Sequence, residues 1–69
     1  MNRLKEFRNK RGFSQLRLAM LTGIQPPDIS RIENGWIYPY AGWQKRLARA
    51  LGTTEAELFP QGKGGSGRS

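Results

Sequence analysis

Four glycines, Gly12, Gly23, Gly35 and Gly52, punctuate this chain, and each follows a short segment with apolar residues at helical spacing. Glycine ends helices readily because it tolerates the left-handed backbone. The segments between the glycines therefore read as helices. Leu4, Phe7 and Arg11 share a face of the first, with Asn2 expected as its side-chain cap. Ser14 is a good N-cap for the second, where Leu18, Ala19 and Thr22 recur, and Ile24 is expected to be buried in the turn after Gly23. Ile29 and Ile32 mark a third helix from about Pro26 to Asn34. Pro39 disfavours helix at Tyr38, so Trp36 to Tyr40 reads as a loop. Trp43, Leu47, Ala50 and Leu51 then line one side of a fourth helix over about residues 41–51. Thr54 and Glu57 predict a capping box for a last short helix through Leu58 and Phe59, stopped by Pro60. No strand pattern and no repeat is present. The fold class expected is all-α, five short helices with tight connections.

Sixty-nine residues suffice for one small domain. Residues 1–60 are expected to form it. The segment QGKGGSGRS, residues 61–69, has no apolar residue and is expected to be a disordered Gly-rich tail, either a linker or an appended remnant. A domain this small buries roughly 60% of the surface its unfolded chain exposes, so its stability margin is thin. The chain has no cysteine and no histidine, which excludes disulfides, Cys/His metal sites and Ser-His or Cys-His catalysis. The five carboxylates are Glu6, Asp28, Glu33, Glu55 and Glu57, and Glu55 and Glu57 are spaced so that they do not face each other. No catalytic residue, no metal and no cofactor is expected, and the chain does not read as an enzyme. No apolar run approaches the roughly 18 residues of a membrane span. The charged start from Arg3 does not resemble a secretory leader, so the expected location is cytoplasmic.

Charge is the strongest global feature: 12 Lys and Arg against 5 acids, a net +7. The basic residues concentrate at Arg3, Lys5, Arg8, Lys10, Arg11 and Arg17, and again at Lys45, Arg46 and Arg49. Such an excess suits a polyanionic partner, above all nucleic acid, and equally a well-solvated surface.

Helices two and three, joined by a tight glycine turn, have the form of a helix-turn-helix, whose second helix enters the DNA major groove. The residues sharpen this. The stretch FSQLRLAMLTGIQPPDISRIENG resembles the lambda-repressor/Cro-like (XRE-type) helix-turn-helix family. The resemblance rests on Ser14 and Gln15, Leu18 and Ala19, Gly23 and Ile24, the run Ile29 to Gly35, then Pro39, Leu47, Ala48, Ala50 to Gly52, and Glu57 to Phe59. It covers about residues 2–59. It implies a five-helix domain that binds double-stranded DNA, usually as a homodimer on a two-fold site, in a transcriptional regulator. It also implies that Glu33 pairs with Arg8 as a structural clamp.

Site residues follow. The start of helix two presents backbone N–H groups and a positive dipole end, suited to phosphate. Ser14, Gln15 and Arg17 belong to this seat; Gln15 can bond phosphate or base, or be a plain first-turn glutamine. Arg31 is the leading candidate for a bidentate contact to guanine, and Ser30 for phosphate or a base edge. The bland alternative for both is a solvated helix face. Asn34 and Tyr38 are candidate phosphate contacts.

Pro26 and Pro27 depart from the family, in which polar side chains near these positions read bases. A proline at N1 loses little, because first-turn N–H groups have no intrahelical acceptor. Pro27 disfavours the α region at Pro26, so the helix is expected to start one residue late, with Pro26 near the N-cap and Pro27 at N1. The pair can offer an apolar face to thymine methyls, or simply stiffen the turn. Base reading then falls mainly to Gln25, Ser30 and Arg31.

Leu16, Met20 and Leu21, with Trp36, Ile37, Tyr38 and Tyr40, are more apolar residues than a small core needs. They read either as a surface for a protein partner, through Leu16, Met20 and Trp36, or as an enlarged core with Trp36 and Trp43 packed on helices three and four. An adaptor or antitoxin-like role is the rival to DNA binding.

Overall fold

The computed structural model describes residues 2–60. The expected tail, 61–69, lies outside the described residues. Five helices follow in order: α1 (Leu4–Lys10), α2 (Gln15–Thr22), α3 (Pro26–Glu33), α4 (Ala41–Leu51) and α5 (Glu55–Leu58). There is no strand among the described residues.

α2 is the centre of the arrangement, packing on both α3 and α4. Its start is fixed by Ser14, whose Oγ accepts from the Arg17 N–H at 3.0 Å. Its end is Gly23 at φ 78°, whose N–H bonds the Ala19 carbonyl. Ile24, next in the turn, is fully buried. The core joins Leu4 of α1, Leu18 of α2, Ile29 and Ile32 of α3, Leu47 and Leu51 of α4, and Leu58 and Phe59 at the end of the chain described. α5 is a single turn, too short to persist alone. Burial of Leu58 and Phe59 holds it, together with a 2.9 Å bond from the Arg3 N–H to the Leu58 carbonyl.

Two helix starts, and the capping of a third, differ from the sequence expectation. The N-cap of α1 is Arg3, not Asn2. Asn2 still serves the helix: its Oδ1 accepts from the Leu4 N–H at 3.0 Å, while its Nδ2 donates to the Ile32 carbonyl at 2.8 Å. α3 begins at Pro26 with Gln25 as N-cap, so the prolines occupy N1 and N2 and the helix does not start late. The Gln25 carbonyl accepts from both the Asp28 and Ile29 N–H groups. The two N–H groups that proline lacks would have had no intrahelical acceptor anyway. The steric bias against α geometry before proline is a preference, and burial of Ile29 and Ile32 outweighs it. At α5 the capping box is half formed. Thr54 Oγ1 accepts from the Glu57 N–H, but Glu57 takes the hydroxyl of Thr53 instead of reaching back to the backbone.

Candidate nucleic-acid interface

The start of α2 and the end of α3 are locked together by one carboxylate. Glu33 accepts from Arg8 Nε at 2.5 Å and Nη2 at 3.3 Å, and from Gln15 Nε2 at 3.0 Å. Arg8 Nη1 also donates to the Phe13 carbonyl at 2.8 Å. The Arg8 and Glu33 side chains are only 10% and 4% exposed. Charges this far from water persist only when paired and hydrogen-bonded, and these are. The network therefore sets the placement of α3 against α1 and α2. Gln15 is part of it: its amide nitrogen turns to Glu33 rather than outward.

Along α3 the buried residues are Ile29 and Ile32, which leaves the opposite side to solvent. Arg31 is exposed there and pairs with Asp28 at 3.0 Å, one turn earlier. An exposed pair of this kind contributes about 0.2–1 kcal/mol, so it orients the guanidinium without holding it. Asn34 Nδ2 donates to the Ser30 carbonyl at 2.9 Å and approaches its hydroxyl at 3.5 Å. Gln25 and Pro27 are exposed and Pro26 is half-buried. Ser14 and Arg17 are exposed on α2. Its Gln15 and Leu16 N–H groups precede the first intrahelical bond and are available to an anion. Tyr38 stands in a separate neighbourhood, its ring edge-on to Phe59 with centroids 5.9 Å apart.

The sequence reading did not find the Gln15 bond to Glu33 or the Asp28–Arg31 pair. The first joins residues eighteen apart in the chain and carries no local signal. The second has one, opposite charges at i and i+3 on a helix.

The surplus apolar residues stay outside. Leu16 is 61%, Met20 70% and Trp36 76% exposed. Trp43 packs partly against the core, but Trp36 does not, which corrects the enlarged-core reading for that residue. Leu16 and Met20 line a shallow groove with Ala19, Ile24 and Pro26; Trp36 is not part of it.

Among the described residues no cluster of acids could hold a metal ion, and no helix is long and apolar enough to cross a membrane. No curated protein and no solved structure matches the chain significantly. A family model described as a helix-turn-helix domain matches residues 2–59. The five-helix architecture and the α2–turn–α3 unit agree with that match, and the chain belongs to the helix-turn-helix domain family, a family of DNA-binding modules.

Proposed function

We propose that the chain is a sequence-specific transcriptional regulator, of the repressor type, that reads the major groove of duplex DNA with α3. The observation that carries the reading is the family match over residues 2–59, joined to an α3 whose polar side is exposed on a buried Ile29–Ile32 anchor. Arg31 takes guanine after exchanging Asp28 for the base, and Ser30, Gln25 and the Pro26–Pro27 face complete the readout. Phosphates bind at the α2 start, through the backbone N–H groups, Ser14 and Arg17, with the Gln15 side chain kept back by Glu33, and near Asn34 and Tyr38. The protein acts as a homodimer on a two-fold site in the cytoplasm, and it is not an enzyme. The net +7 charge supports strong salt dependence, since each phosphate neutralised releases counterions.

Selection from a random duplex pool tests this. A preferred sequence should emerge, and Arg31→Ala should lose about 1–3 kcal/mol of affinity for it while binding unrelated duplex almost as before. Recovery of no preferred sequence, or equal loss on all duplexes, would overturn the assignment of α3 as reader.

A second reading is favoured by one observation, the exposure of Leu16, Met20 and Trp36. In it the domain is an adaptor or antitoxin-like module that binds another protein. A stable complex that Met20→Glu abolishes, in a protein without duplex affinity, would establish it in place of the first.

A further inference from the structure

A groove of about 360 Å³ lies between the last turn of α2 and the outer side of α4, lined by Leu21, Thr22, Lys45, Arg46, Arg49 and Ala50. None of these residues belongs to the α2 start or the α3 face. We propose that this groove is a docking site for an acidic segment of another protein, one carrying an apolar side chain between carboxylates.

Three observations support the assignment. Three cations line the groove and no carboxylate does. Arg46 leans on the end of α2, its Nη1 making a long 3.4 Å contact to the Thr22 carbonyl, where the helix C-terminus favours a cation. Lys45 and Arg49 stand one turn apart on α4, a like-charge spacing that works against the helix until an anion relieves it. Neither has an ion-pair partner among the described residues. Glu55 borders the adjoining depression with Lys45 and Arg49 without pairing to either.

The floor of the groove selects the kind of anion. Leu21, half exposed, and Ala50 give the groove its apolar lining. A phosphate backbone would set hydrated oxygens against these carbons, whereas an acidic peptide can cover them with an aliphatic or aromatic side chain. A second copy of this chain is a poor occupant of this groove, because three of its five carboxylates, Glu6, Asp28 and Glu33, are already held in ion pairs. The occupant is therefore a different, acidic protein.

The probe is a short synthetic helix with Glu at i and i+4 and Leu between them, compared with its Gln counterpart by NMR titration of the labelled full chain at low salt. The expected result is shifts at Leu21, Lys45, Arg46, Arg49 and Ala50. Affinity should be about tenfold tighter for the Glu peptide, the sum of several exposed charge pairs. Lys45→Glu with Arg49→Glu should abolish the preference, and the milder Lys45→Gln with Arg49→Gln should weaken it. Both pairs replace exposed side chains, and unchanged circular dichroism would show that the fold is kept. Equal affinity for the Gln peptide, absence of shifts in the groove, or displacement of the peptide by duplex DNA through these same residues would each overturn the proposal. The test does not depend on α3 reading bases, because the peptide and duplex titrations report on different residues.

Discussion

Replacing Glu33 removes the anion that two donor side chains share, and the size of the loss can be worked from its surroundings. Its side chain is 4% exposed and that of Arg8 10%, so Glu33→Ala leaves a guanidinium shut away from water without a counter-charge. Breaking a buried pair in this way costs about 3–5 kcal/mol. Roughly 60 ordered residues at 0.05–0.15 kcal/mol each give a total of roughly 3–9 kcal/mol. Glu33→Ala should therefore remove roughly a third or more of the stability. Gln15→Ala deletes one donor only and should cost about 1 kcal/mol. The informative comparison is the pair Arg8→Leu and Glu33→Leu, singly and together, followed by urea unfolding. The double variant should recover at least half of the summed single losses, because an apolar pair leaves no buried charge behind. A coupling energy below about 0.5 kcal/mol would refute the claim that this network fixes α3.

Three further outcomes are expected. Gly52→Ala places a Cβ 2.0 Å from Arg11 Nη2 at a φ of 67°, whereas Gly12→Ala, at 73°, meets nothing within 4 Å. Both should lose about 1–2 kcal/mol of stability to backbone strain. Gly52→Ala should also disturb the 3.0 Å bond from Arg11 Nε to the Leu51 carbonyl, so equal losses in the two variants would count against that contact. Ile32→Ala should cost about 2–5 kcal/mol in thermal or urea unfolding, since Ile32 is fully buried where α3 meets the core. The hydrogen bond from Arg3 holds the Glu6 carboxyl below its ordinary value of 4.5, with the charges of Arg3 and Lys10 adding to it against desolvation. A depressed folded value means that the contribution of Glu6 is present above 4.5 and lost as the pH falls through the folded value. Glu6→Gln should flatten that acid limb slightly, and an unchanged limb would show that the exposed pair does not contribute.

Local chemistry made most of the fold legible. The Ser14 hydroxyl, the glycine at each helix end and the Leu18–Ala19–Thr22 and Leu47–Leu51 spacings locate α2 and α4, because a cap and an apolar stripe are properties of neighbouring residues. Where the expectation differed, a distant contact decided. Asn2 divides its amide between Leu4 and Ile32, and the double-proline start of α3 is set by burial two turns on. The candidate interface was less legible than the fold. That Gln15 faces Glu33 depends on a rotamer that the arrangement of α1, α2 and α3 selects, whereas the Asp28–Arg31 pair had a local signal in its spacing and was missed. Lys45, Arg46 and Arg49 stood out as a basic group, but only the packing of α4 beside Leu21 and Thr22 makes a groove of them.

The shared Glu33 carboxylate has a consequence for how such a domain can change. It uses Arg8, Gln15 and Glu33, while Pro27, Ser30 and Arg31 lie outside it. On the proposed reading of DNA by α3, scaffold and text are therefore written in different letters. A library varied at those outer positions should keep its folding yield, and if α3 reads the groove as proposed it should also change the preferred sequence.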